Sequence, residues 1–124
     1  MSLSDEMLDM ENWAVVGASD KHHTYGYKLY KKLKDYEYNV YPVNPNCISV
    51  DGDTTYPSLS DLDGDVDVVN FVVNPSIGIE VLRECIDLGI KNIWLQPGTR
   101  SKEIHNLAEE NDINVVNSCV LVEL

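Results

Sequence analysis

The stretch that decides the fold is WAVVGASDKHHTYGYKLYKKLK, residues 13–34. It opens on an apolar run, Trp13–Val16, turns at Gly17, and from Tyr25 onward spaces its apolar residues as a helix does. A strand, a glycine turn and an amphipathic helix form half of a βαβ unit, and such units meet their ligands at the turn. Gly17 admits backbone conformations closed to residues with a Cβ, Ala18 and Ser19 keep the approach narrow, and Gly26 permits close contact as the helix begins. The first N–H groups of a helix have no partners within it and lie at the positive end of its dipole. The occupant such a turn suits is an anion, and a phosphate fits best.

The charge distribution supports this reading. Between Lys21 and Lys34 there are five lysines and no carboxylate, in a chain with nine basic and 21 acidic residues. Lys28, one turn into the helix beside Gly26, is the expected phosphate contact, whereas Lys31, Lys32 and Lys34 fit a solvated face equally well. The net charge of −12 over 124 residues works against general binding to nucleic acid or to an anionic membrane, since both attract basic surface. Cys47, Cys85 and Cys119 are odd in number and widely spaced, a pattern of reduced thiols. The acidic start MSLSDEMLDMEN lacks the features of a secretory signal, and no apolar run approaches the roughly 20 residues of a membrane span. A cytoplasmic location is the expectation.

Working outward, a short helix is expected over Asp5–Met10, capped by Ser2 or Ser4. The first strand runs Trp13–Gly17, the first major helix Tyr25–Asp35, and the second strand Val40–Asn44, made irregular by Pro42 and Pro45. Asn46–Pro57 reads as a loop turning at Asp51-Gly52. Its acids do not follow the calcium-loop spacing, so no metal is expected there. A helical turn over Ser58–Leu62, a third strand Val66–Val73 and a helix Ser76–Leu88 stopped by Gly89 follow. A fourth strand Asn92–Leu95, a helix Ser101–Asn111 and a fifth strand Ile113–Val116 complete the alternation. Strands alternating with helices of this length imply one three-layer α/β domain with a mostly parallel five-stranded sheet, and right-handed crossovers favour the order 3-2-1-4-5.

Ligands of such sheets sit beyond the carboxyl ends of the strands. Four uncharged, turn-forming segments arrive there: Gly17-Ala18-Ser19, Val43-Asn44-Pro45, Val73-Asn74-Pro75 and Gln96-Pro97-Gly98. An NAD site usually has an acidic residue at the second strand end to bind the ribose; here Asn44 stands between Val43 and Pro45, and the glycine spacing departs from the dinucleotide pattern. A neutral strand end with lysines nearby tolerates a phosphorylated ribose, such as that of coenzyme A or of NADP.

Taken together, VVGAS (15–19), YGYK (25–28), VYPVNP (40–45), YPSL (56–59), VDVVNFVV (66–73) before Asn74-Pro75, and WLQPG (94–98) resemble the small single-domain CoA-binding protein family, which is similar to the CoA-binding domain of the succinyl-CoA synthetase α subunit. The resemblance covers nearly the whole chain. It implies a Rossmann-like domain with coenzyme A along the glycine turn. Gly17, Ala18 and Ser19 would meet the phosphates, flanked by Tyr25, Gly26 and Lys28. Val43, Asn44 and Pro45 would border the adenosine, and Val73, Asn74 and Pro75 the other wall. From the residues themselves, the backbone of Gln96, Pro97 and Gly98 could supply donors to an acyl carbonyl, as a binding feature only.

The residues assemble no evident nucleophile, base and orienting acid, since His105 falls mid-helix and His22-His23 lie in a loop. Cys119 follows the last strand, where it could face the CoA thiol, although a buried free cysteine is the commoner outcome. The sequence therefore points to a non-catalytic CoA or acyl-CoA binder acting as sensor or carrier. The alternatives are an NAD(P)-binding oxidoreductase and a partial acyl-CoA ligase subunit, with self-association or a partner subunit left open.

Overall fold

A computed structural model describes residues 2–124. Helix α1 (Leu3–Leu8) is capped by Ser2, whose hydroxyl accepts from the Asp5 amide, and leads into strand β1 (Asn12–Val16). Helix α2 (Tyr25–Asp35) and strand β2 (Asn39–Val43) follow. The expected loop at 46–57 contains a two-stranded antiparallel hairpin, β3 (Ser49–Val50) and β4 (Asp53–Thr54). It turns at Asp51-Gly52, both with positive φ. A 3-10 turn (Leu59–Asp61) precedes strand β5 (Val68–Phe71) and helix α3 (Pro75–Leu88), which Gly89 ends in the left-handed conformation. Strand β6 (Asn92–Leu95), helix α4 (Lys102–Glu110), strand β7 (Asn114–Asn117) and a short helix α5 (Val120–Glu123) complete the chain. No helix of the described residues is long and apolar enough to cross a membrane.

The five main strands form one parallel sheet in the order β2-β1-β5-β6-β7. The α/β class, the Rossmann-like layering and the strand count are as expected. The position of the third major strand is not: β5 lies in the centre beside β1, whereas the order 3-2-1-4-5 would put it at the edge beside β2. Two residue-level constraints account for this. All four residues of β5 are buried, which demands neighbours on both sides, while β2 is exposed at its start. Pro42 has no N–H to donate and belongs in an edge strand. The outer edge of β2 is met by Tyr56, whose N–H donates to the Pro42 carbonyl at 3.0 Å and whose carbonyl accepts from the Asn44 N–H at 2.9 Å.

The strand pleat divides the core. On one face Ala14, Val16, Val69, Phe71, Ile93 and Leu95 pack against α3 and α4; on the other Trp13, Val15, Val68, Trp94 and Val116 pack against α1, α2 and α5. Both tryptophans are fully buried, with ring centroids 5.6 Å apart. Helix α2 docks through Leu29, Tyr30 and Leu33.

The lysine run divides by position. Lys34 reaches the hairpin, 2.8 Å from the Asp53 carboxylate and 3.0 Å from that of Asp51, and Lys31 pairs with Asp35 at 2.9 Å. Tyr30 donates to Asp53 at 2.5 Å and Tyr27 to Asp51 at 3.3 Å. Hydrogen bonding to Lys34 is the main reason that both aspartates sit below the ordinary carboxylate range, with Tyr30 assisting at Asp53. A depressed folded-state pKa contributes stability above that range and loses it as pH falls through it. The urea midpoint should therefore decline between about pH 5 and pH 3 more steeply in the wild type than in Lys34→Met. Parallel declines would show that the latch carries no pH-dependent stability.

Candidate functional site

The site follows from the central position of β5. The chain winds from β1 towards β2 on one side and from β5 towards β6 and β7 on the other, so the direction reverses between β1 and β5, and Gly17 lies at that switch point. Gly17 has φ +102°, and a Cβ on it would stand 2.4 Å from the Val72 carbonyl oxygen. A Cβ on Gly26 would stand 2.1 Å from the Gly17 carbonyl oxygen. The two glycines thus clamp strand, turn and helix together. Thr24 caps α2 and accepts from the Tyr27 amide at 3.3 Å, while the N–H groups of Tyr25 and Gly26 find no acceptor among the described residues. These are the open donors expected of an anion-binding helix start.

Beside the turn opens a cleft of about 590 Å³. Val16 and Gly17 form its floor, Val43, Asn44, Pro45 and Asn46 one wall, and Val72 and Val73 the base of the opposite wall. The 3-10 segment contributes Pro57 and Ser58, and α3 contributes Ile77, Glu80, Val81 and Glu84. Gly17, Val43, Asn44, Pro45 and Val73 are thereby brought together as the sequence suggested. Their roles differ in detail. Asn44 spans the crevice, donating from Nδ2 to the Ala18 carbonyl at 2.8 Å and accepting from the Asn46 amide at 2.8 Å, so it fixes the glycine turn from the neighbouring strand. Ser19 accepts from the Lys21 amide at 3.2 Å. Asn74 caps α3 by accepting from the Ile77 amide at 3.1 Å, and Pro75 takes the first helical position. Lys28 is exposed on the first turn of α2 and makes no ion pair among the described residues. His22 stacks on Tyr27 at 4.3 Å.

On the opposite face of the sheet, Tyr25, Gln96 and Cys119 meet. The Tyr25 hydroxyl lies 2.6 Å from Cys119 Sγ and 3.3 Å from the Gln96 amide. Gln96 is fully buried; with its oxygen towards Trp94 Nε1 at 3.0 Å and the Val120 amide at 3.3 Å, its nitrogen donates to Tyr25. Turning the Asn70 amide likewise presents the buried and otherwise unpartnered Nδ2 of Asn70 to the Gln96 oxygen across a 2.9 Å contact. The Gln96 side chain therefore braces the interior below the strand ends, and the exposed Gly98 turns the chain with φ +89°. Burial, and then the hydrogen bond to Cys119, push the Tyr25 phenol up to about 12, against the pull of the Arg100 guanidinium. Among the described residues no cluster of three or more His, Cys, Asp and Glu side chains is arranged to hold a metal.

The charge of the cleft comes from a helix rather than from the strand ends. The four strand-end segments are neutral, yet α3 brings Glu80 and Glu84 to the cleft wall. The signal was present in the spacing: 77, 80, 81 and 84 recur at i, i+3, i+4 and i+7, the mark of a single helical face. Ile77 and Val81 on that face extend the apolar lining.

With this geometry in place, comparison with known proteins is informative. The family described as "CoA binding domain" matches residues 11–124. The chain belongs to the CoA-binding domain family. Relatives of this family include the α subunit of an ADP-forming acetate–CoA ligase II from Pyrococcus furiosus, 37% identical over 128 residues, covering 94% of this chain and 28% of that one. An ADP-forming acetate–CoA ligase from Methanocaldococcus jannaschii is 33% identical over 103 residues, with 83% and 14% covered. The chain thus spans between about a seventh and a quarter of these ligase relatives. The uncharacterized protein YneT of Bacillus subtilis is 28% identical and comparable in size, with 88% of this chain and 82% of YneT aligned. In three dimensions, a conserved hypothetical protein from Pyrococcus furiosus superposes with a TM-score of 0.87 at 37% identity, covering 93% of this chain and all of that one. A hypothetical protein from Pyrococcus horikoshii gives a TM-score of 0.91 at 31% identity, with 97% and 85% covered.

The glycines of this CoA-binding domain differ in a measurable way. Gly98 has open space about its Cα, so Gly98→Ala meets only backbone strain, of about 1–2 kcal/mol. Gly17→Ala adds the collision with the Val72 carbonyl and should cost at least about 3 kcal/mol in chemical denaturation. Equal costs at the two positions would contradict the tight β1–β5 approach.

Proposed function

We propose that this chain binds coenzyme A or an acyl-CoA without transforming it, as a sensor or carrier. In this reading the pyrophosphate lies over Gly17, Ala18 and Ser19, against the open amides of Tyr25 and Gly26 and within reach of Lys28. The adenosine occupies the cleft between Val43-Asn44-Pro45 and the α3 face, with Val73, Asn74 and Pro75 forming its far boundary. The single observation carrying the reading is the continuity of the glycine turn with an apolar cleft large enough for a nucleoside, in a chain matched almost end to end by a CoA-binding family. Val16, Val43, Val72, Val73, Ile77 and Val81 give that cleft the apolar walls on which a purine is buried favourably.

A second reading keeps the same ligand but adds a partner. The ligase relatives carry this domain within much longer chains, so the protein could serve as one part of an acyl-CoA ligase assembled from subunits. Nothing in the described site supplies a nucleophile activated by a base and an orienting acid; His105 instead contacts the Ser101 carbonyl at 2.7 Å and Asn117 at 3.0 Å.

A thermal-shift series with CoA, acetyl-CoA, NAD, NADP and ATP tests the ligand. A ligand present at a hundred times its dissociation constant stabilises by about 2.7 kcal/mol, which for a domain of this size raises the melting temperature by roughly 10 °C. CoA or acetyl-CoA should give such a rise. A rise with NAD or NADP and none with either CoA species would overturn the reading in favour of an oxidoreductase.

A further inference from the structure

We infer that the adenosine cleft discriminates against a ribose 3′-phosphate, so that the chain holds dephospho-CoA more tightly than CoA. This rests on the placement of the adenosine proposed above and deepens it. Among the described residues, the only charged side chains lining the cleft are those of Glu80 and Glu84. A third carboxylate, Asp61, stands just behind, accepting from the hydroxyl of the lining residue Ser58 at 2.9 Å. One cation offsets them: Arg83 contacts Glu80 at 2.5 Å on the exposed surface of α3. No lysine lines the cleft among the described residues: Lys31 and Lys34 are paired with Asp35, Asp51 and Asp53, and the unpaired Lys28 is placed by this reading at the pyrophosphate. The β2 end that borders the sugar presents Asn44, Pro45 and Asn46, none of them basic.

The two lining carboxylates divide the work. Glu84 is committed to the fold: its oxygens accept from the Leu59 amide at 3.2 Å, the Ser60 amide at 3.3 Å and the Ser60 hydroxyl at 2.7 Å, which holds the 3-10 turn against α3. Glu80 is exposed and bonded only to Arg83, leaving acceptor capacity for a ribose hydroxyl or a purine amino group. A 3′-phosphate brings close to two negative charges into this surround, whereas a free 3′-hydroxyl brings a donor. Glu80 is thus the specificity-determining residue and Glu84 a fixed background charge.

Titration calorimetry with CoA and dephospho-CoA, each at low and high salt, tests the inference. Dephospho-CoA should bind roughly three- to ten-fold tighter at low salt, with the ratio shrinking as salt screens the carboxylates. In Glu80→Lys, a surface change that leaves the fold intact, the order should reverse in favour of CoA. Equal affinities, tighter CoA binding by the wild type, or a ratio unmoved by Glu80→Lys would overturn it while leaving CoA-type binding in place. Absence of binding by both compounds would instead remove the parent reading and this inference with it.

Discussion

The constraint on which the molecule depends is the approach of two parallel strands at a point with no room for a methyl group. Gly17 lies so close to the Val72 carbonyl, and Gly26 so close to the Gly17 carbonyl, that three successive pieces of backbone touch where most proteins would interpose side chains. Everything at the strand ends is set by this contact. The helix start is drawn down over the turn, its free amides face outward, and the peptide after β5 becomes the base of one cleft wall. Asn44 reinforces the arrangement from the next strand by holding the Ala18 carbonyl.

Much of this was legible in the residues. The alternation of apolar runs with helical periodicity gave the α/β class, Gly89 ends α3 as read, and of the two candidate caps Ser2 and Ser4 the structure uses Ser2, for a helix that starts two residues earlier than expected. The glycine turn and the strand-end segments came from turn chemistry and from the rule that ligands gather at carboxyl ends. The strand order did not, although its determinant was in view: Pro42 restricts β2 to an edge, and the unbroken apolar run of β5 belongs in the middle. Crossover handedness alone leaves both orders open, and the choice between them rests on which strand tolerates a missing donor.

The site was less legible than the fold because its second wall is built by a helix. Strand ends are contiguous in sequence and can be read directly, whereas Glu80 and Glu84 reach the cleft only through the rotation of α3, a residue-by-residue angle that matters once the helix is docked. Gln96 shows what a side chain at such a position can do for the fold. A polar residue in a turn at a strand end resembles a ligand contact, yet it lies fully buried and answers the hydrogen-bonding needs of Trp94, Asn70 and Tyr25. The buried amide sits opposite the cleft, so the two faces of the sheet treat polarity differently: one satisfies it internally and the other leaves it open.

The small hairpin has a role beyond its size. β2 is a boundary strand, and exposed strand boundaries recruit further strands from neighbouring molecules. Here the segment after β4 occupies that boundary through Tyr56, while Lys31 and Lys34 anchor the hairpin to α2 through Asp51 and Asp53. Two of the lysines that fitted a solvated face equally well thus help keep a sheet margin closed to intermolecular growth, guarding the fold against templated aggregation.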